Sequence, residues 1–172
     1  MKKIFLKFSI LLFASLVSFV SCKKDYEPVV SNTVEMSGSW WVKLLYLDNG
    51  EYRDLYADFG YGDIWGELIT SNTASNDKDS LWIIDHDLWD FQSKVNCDIS
   101  NLTFSNSNAI SIVEDYEIAT PISNGKVLKS VAVAPSGHIT DSIVMDIEFE
   151  DFPGYECRIT GYKRTGWPED DH

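Results

Sequence analysis

The chain has 172 residues, with 14 Lys+Arg against 27 Asp+Glu and a formal net charge of −13. Its first 21 residues hold three lysines and no acid, so the remainder carries 11 basic and 27 acidic groups, net −16. That balance argues against sequence-independent binding to nucleic acid or to an anionic lipid surface, both of which need clustered Lys and Arg. Hydrophobic residues at 44% and aromatics at 13% exclude a disordered chain, and three cysteines exclude a disulfide-framework miniprotein or a four-cysteine zinc module.

Met1-Lys2-Lys3 is a short basic start, Ile4 to Val20 is mostly apolar, and Ser21 places a small residue immediately before Cys22. This is the layout of a secretory signal. It resembles a bacterial lipoprotein signal, which implies that residues 1–21 are removed and that Cys22 becomes the acylated first residue, with Phe19 where that family usually has Leu. The apolar run is interrupted by Lys7 and falls short of the ~20 residues that span a bilayer. Attachment to the membrane is therefore expected through acyl chains on Cys22, in the cell envelope at the outer membrane. Residues 22–36 are polar with one proline and read as a tether, leaving 37–172 as the folded domain.

Within 37–172 the pattern has period two. Trp89, Phe91, Val95, Cys97 and Ile99 fall on one side of a strand and Asp90, Gln92, Lys94, Asn96 and Asp98 on the other. Ile143, Met145, Ile147 and Phe149 likewise oppose Ser142, Val144, Asp146 and Glu148. Alternation of this kind marks antiparallel strands with one dry face. Further strands are expected over 39–48, 64–70, 80–85, 101–104, 109–118, 126–134 and 155–163. Asp48-Asn49-Gly50 and Ser123-Asn124-Gly125 suit two-residue hairpins, and Pro135-Ser136-Gly137-His138 reads as another reversal. The expected fold class is all-β with little helix: an antiparallel up-and-down barrel of about eight strands, with a β-sandwich as the competing architecture.

A barrel of that size encloses packed side chains or one small ligand. The inward candidates, and the expected ligand-binding residues, are Trp40, Trp82, Trp89, Phe91, Phe104, Met145, Phe149 and Tyr155. Large rings of this kind serve equally as core filling or as the lining of an apolar pocket.

Gly38-Ser39-Trp40 resembles the Gly-x-Trp of the first lipocalin strand, whose tryptophan lies beneath a late basic side chain; Arg158 or Arg164 is expected to fill that role. A broader resemblance runs through Trp41-Val42-Lys43, Ile69 to Ala74, Asp79 to Asp85, Ser136-Gly137, Asp141-Ser142-Ile143 and Gly161 to Asp171, which ends in Thr165-Gly166-Trp167-Pro168-Glu169-Asp170-Asp171. Together these are similar to the lipid-binding putative hydrolase lipoproteins of gut Bacteroidetes, a calycin-like barrel family. The resemblance implies a lipid or other apolar small molecule as ligand and transfers no catalytic residue.

The alternatives are a hydrolase acting on lipid esters or glycans of the envelope, and a surface recognition module without enclosed ligand. A hydrolase needs a nucleophile, a base and an orienting group. No Gly-x-Ser-x-Gly elbow is present, and only His86 and His138 are candidate bases, His172 being terminal and expected to be mobile. Carboxylate pairs among Asp85, Asp87, Glu148 and Glu150 arise readily in so acidic a chain, and Asn76 to Asp79 lacks the EF-hand pattern, so no metal or cofactor is expected. Cys97 and Cys157 form an even pair, read either as a disulfide or as two buried thiols.

Overall fold

The computed structural model describes residues 30–172; the expected signal segment, Cys22 and the first part of the expected tether lie outside them. Nine strands follow in chain order: β1 (Gly38–Asp48), β2 (Glu51–Asp54), β3 (Gly66–Asn72), β4 (Ser80–Asp85), β5 (Phe91–Asp98), β6 (Thr103–Asn106), β7 (Ile122–Val133), β8 (Ile139–Ile147) and β9 (Cys157–Lys163). One α-turn, α1 (Leu55–Asp58), and two 3-10 turns, Val34–Met36 and Pro168–Asp170, complete the regular structure among the described residues. Each strand from β3 to β9 pairs antiparallel with the next, and β1 pairs with both β3 and β9. The result is a closed eight-strand up-and-down barrel, with β2 as a short flap on the second half of β1.

Alternation delivers the interior as expected. Trp40, Val42 and Leu44 of β1, Leu68 of β3, Leu81 and Ile83 of β4, Phe91 of β5, Ile143 and Met145 of β8 and Ile159 of β9 have no solvent-accessible surface. A side chain lining a hollow big enough for water keeps accessible surface against that hollow; these keep none. The barrel interior is therefore a packed core of side chains.

The tether end, where Val34–Met36 enters, is plugged from below. Met36 is fully buried, Thr70 Oγ1 donates to its carbonyl at 2.6 Å, and Trp40 Nε1 donates to Thr70 Oγ1 at 2.9 Å. Asn32 bonds Asn76 through its backbone N–H and its side-chain amide, tying this entering segment to the β3–β4 loop. Trp40 is covered by a basic group, but that group is Lys163, with Nζ 5.5 Å from the ring centroid. Arg158 instead lies over Tyr52 and Arg164 over Trp41, because both point outward from their strand while Lys163 reaches the end of the barrel. A Cβ on Gly38 would stand 2.6 Å from Lys163 Cε, so the glycine of Gly-x-Trp leaves room for the lysine stem.

Several elements differ from the expectation. Asn49-Gly50 does turn β1 into β2, with φ of 50° and 87°. Asn124-Gly125, expected as a second hairpin, lies inside β7 at a register shift, with Asn124 at φ 52°. A β-bulge demands the same left-handed residue that a tight hairpin does. Residues 109–118 form only one isolated bridge, Ile110↔Ala119, in a long β6–β7 loop that folds back at Asp115. Trp82 points outward, opposite Lys94, because Leu81-Trp82-Ile83-Ile84 is apolar throughout and alternation is illegible there. Tyr155 sits in the β8–β9 loop and is 41% exposed. Cys97 and Cys157 are free thiols on strands that are not neighbours, Cys97 opposite Phe104 and Cys157 opposite Ile147 and Tyr46.

The β7 bulge also yields a stability prediction. A Cβ on Gly125 would fall 2.3 Å from Phe104 Cδ2 and 2.5 Å from the Phe104 carbonyl oxygen. Gly125→Ala should cost about 1–3 kcal/mol by overpacking, read as a lower urea midpoint with unchanged m-value.

Candidate functional site

The two ends of the barrel are built differently. At the end opposite the tether, four segments converge: α1 with the loop after it, and the β4–β5, β6–β7 and β8–β9 loops. Their aromatic rings form a continuous series from core to solvent. Phe91 meets Phe149 edge-on at 5.8 Å, Phe149 stacks on Trp89 at 4.6 Å, and Trp89 meets Phe152 at 5.3 Å. Phe152 stacks on Tyr155 at 4.2 Å, Tyr155 meets Tyr46 at 5.9 Å, and Tyr46 meets Phe59 at 5.9 Å. The series runs from Phe91, with no exposure, through the partly buried Trp89, Phe152 and Tyr46 to Tyr155 at 41% and Phe59 at 50%; Tyr61, beside Tyr56, reaches 70%. Offset and edge contacts of this kind are worth about 0.5–1.5 kcal/mol each beyond area burial, so the rings hold one another in place.

Polar groups fix the loops that carry these rings. Asp85, fully buried at the end of β4, accepts from the backbone N–H groups of Asp87, Leu88, Trp89 and Asp90, the shortest being Trp89 N at 2.6 Å. Burial pushes its carboxyl above the usual range, against the opposing effect of those four donors. The β4–β5 loop is thus folded around one carboxylate, and that loop presents Trp89. Asp151 then joins three loops: Trp89 Nε1 donates to Oδ1 at 3.1 Å and the Tyr116 hydroxyl donates to Oδ2. Burial and the Asp151 carboxylate push the Tyr116 phenol up to about 12. Nearby, Glu150 N–H donates to the Ala119 carbonyl while Ala119 N–H donates to the Glu150 carboxylate, and Tyr56 OH donates to the Leu88 carbonyl. Tyr46 OH donates to Asp58, which Arg53 also holds.

Of the eight residues singled out from sequence, Trp89, Phe91, Phe149 and Tyr155 meet in this cluster. Trp40 lies at the opposite end, Phe104 and Met145 lie in the packed core, and Trp82 is on the outer wall. Tyr46, Phe59, Tyr61 and Phe152 were missed. Their signal was local: Phe59-Gly60-Tyr61-Gly62 and Phe152-Pro153-Gly154-Tyr155 are aromatics set among turn residues, where a core has no use for them. Two open grooves lie elsewhere, one of ≈ 580 Å³ beside β6 with Asn96, Asp98 and Lys126, and one of ≈ 360 Å³ with Asp146, Glu148 and Glu156. Their linings mix apolar side chains, Cys97 and Phe104 in the first and Ile122 and Ile147 in the second, with charged ones, unlike an enclosed apolar pocket.

The candidate hydrolytic groups fall apart or serve another role. His86 bonds Asp90 in solvent, and Ser142 Oγ donates to the Gly161 carbonyl. His138 Nδ1 does lie 2.7 Å from Ser136 Oγ, but that hydroxyl also donates to Asp170 Oδ2 at 2.7 Å. The carboxylate thus engages the serine where a triad would have it orient the histidine. Asp170 further accepts from Ser136 N and Thr165 Oγ1, and His138 stacks on Trp167. This is a clasp pinning the β7–β8 turn to the C-terminal segment. His172, at the end of that segment, is seated against the barrel wall, stacked on Trp65 before β3 at 4.4 Å and bonded to Tyr162 OH of β9 at 2.6 Å, and so is not the mobile end expected.

A closed antiparallel barrel with an aromatic loop end defines the class. Over residues 25–168 the chain matches the model of the lipid-binding putative hydrolase family, and it belongs to that family. No curated protein matches the chain.

The Asp85 arrangement is testable. Asp85→Ala leaves four N–H groups without their acceptor, that of Leu88 buried and the others partly so, and should cost about 3 kcal/mol, with Asp85→Asn costing less. The raised carboxyl means the unfolded chain loses this proton first. The stabilising contribution is full below pH 3.8, the ordinary value, and declines as pH rises through the higher folded value. Urea midpoints from pH 3 to 7 should therefore show the wild type losing ground to Asp85→Asn as pH rises across that window.

Proposed function

We propose that the protein is a membrane-anchored lipoprotein, acylated at Cys22 and held at the outer membrane, whose barrel domain binds a lipid or other apolar small molecule at its aromatic end. Membership of a lipid-binding family supports the ligand class. The observation that carries the location is the graded series of rings, from Phe91 in the core to the exposed Phe59 and Tyr155. An acyl chain laid along exposed Phe59 and Tyr155 and the partly buried Phe152 removes apolar surface from water on both sides, at about 25 cal/mol per Å². With the interior packed, deeper entry requires the β4–β5 and β8–β9 loops to part, which breaks the Trp89–Asp151 bond.

Titration with a long-chain fatty acid should quench Trp89 fluorescence and saturate. Replacing Phe59 and Tyr155 together by Ser should weaken binding about tenfold, the loss of ~1.4 kcal/mol of apolar contact. Trp82→Phe, on the outer wall, should leave affinity unchanged. Asp151→Ala, which frees Trp89 and Tyr116, should speed uptake in stopped-flow mixing. No saturable binding, or binding indifferent to Phe59 and Tyr155 but lost with Trp82, would overturn this reading.

A further inference from the structure

The β7–β8 hairpin carries an apolar face that no other described residue covers. A bulge between Leu128 and Ala132, with Ser130 at φ 54°, precedes its last pairs, Ala132↔Thr140 and Val133↔Ile139. Ala132 and Ala134 pack against Trp41 and Tyr162 on one side. Alternation therefore sends Val131, Val133 and, across the ladder, Ile139 the other way, where they are 59%, 68% and 71% exposed. β-branched residues on a hairpin with one dry face belong against something apolar.

We infer that this face rests on the surface of a neutral lipid bilayer, the one in which the acylated Cys22 is inserted; the inference depends on the lipoprotein reading above. Three observations select that occupant. The hairpin lies at the tether end, and Lys129 at its base bonds both the backbone carbonyl and the carboxylate of Glu35 in the entering 3-10 turn. Val30 lies eight steps along the chain from Cys22, a reach of at most about 29 Å when fully extended, so an anchored domain keeps this end close to the membrane. The charges beside the face are neutralised within the protein, Lys129 by Glu35 and Asp141, so contact depends on apolar insertion and needs no anionic lipid. A second copy fits poorly: three side chains, extended at most by exposed Val30 and Val34, fall far below the roughly 20 residues a side of a stable interface. In this orientation the aromatic end faces away from the bilayer, and the ligand is collected from the aqueous side.

The test uses the full acylated chain in vesicles of phosphatidylcholine and phosphatidylethanolamine. In a Cys97→Ser background, an environment-sensitive fluorophore is placed at Val133→Cys and, separately, at Tyr61→Cys on the aromatic end. The label at 133 should brighten and shift to the blue on reconstitution, while the label at 61 stays water-like. In the unsubstituted protein, amide exchange across 130–140 should slow on vesicle binding. If the protein floats with the vesicles but neither signal changes at 130–140, or the label at 61 shifts instead, the inference is overturned and the anchoring reading stands. A blue shift at 133 that grows with protein concentration without vesicles assigns the face to a second copy and also overturns it. Failure of the acylated protein to float removes the anchoring reading and this inference together.

Discussion

The ladder between β1 and β9 is the constraint on which the rest of the structure depends. It runs through seven pairs, from Trp40↔Lys163 to Tyr46↔Cys157, and joins the first strand of the domain to the last. Closure leaves the sheet without long unpaired edges and turns every inward side chain toward one axis. With Trp40, Phe91, Leu68, Met145 and their neighbours meeting there, the axis is filled and the wall becomes scaffold. Chemistry of contact is thereby moved to the ends, where loops rather than strands decide what is exposed.

The two ends answer that constraint in opposite ways. At the tether end Met36 and Lys163 close over Trp40, and Thr70 satisfies both the indole N–H and the Met36 carbonyl. At the other end no single plug exists. A set of interlocked loops holds rings at graded depth, ordered by two carboxylates: Asp85 folds the loop that bears Trp89, and Asp151 ties that loop to its neighbours. Aromatic–aromatic contacts are adaptable in geometry and individually weak, so a ligand chain can exchange places with them at modest cost.

Most of the architecture was legible in the sequence because alternation was clean where it mattered. The Ile143-Met145-Ile147 and Phe91-Val95 series mark their strands without help from tertiary context, and the barrel follows from counting them. Legibility failed where one local signal served two structures. Leu81 to Ile84 is apolar on both faces, so Trp82 was assigned to the wrong side. Asn124-Gly125 supplied a left-handed residue to a bulge instead of a hairpin, and residues 109–118 had strand-like composition but only one bridge to use it in. The candidate residues were half legible: Trp89, Phe91, Phe149 and Tyr155, read as core filling or as pocket lining, belong to an end cluster that runs from buried Phe91 and Phe149 to exposed Tyr155. Phe59, Tyr61 and Phe152 escaped because loop residues have no period to betray their direction. The cover of Trp40 was expected to be an arginine, yet the end of β9 puts Lys163 in reach and turns both arginines onto outer rings.

The most direct test of this account is to locate a bound acyl chain by intermolecular nuclear Overhauser effects between a fatty acid and the labelled protein. The account predicts contacts from the acyl methylenes to the ring protons of Phe59, Phe152, Tyr155 and Trp89. Contacts instead to Met145, Ile83 or Trp40, side chains with no accessible surface in the closed barrel, would show that the ligand occupies the axis and would contradict it.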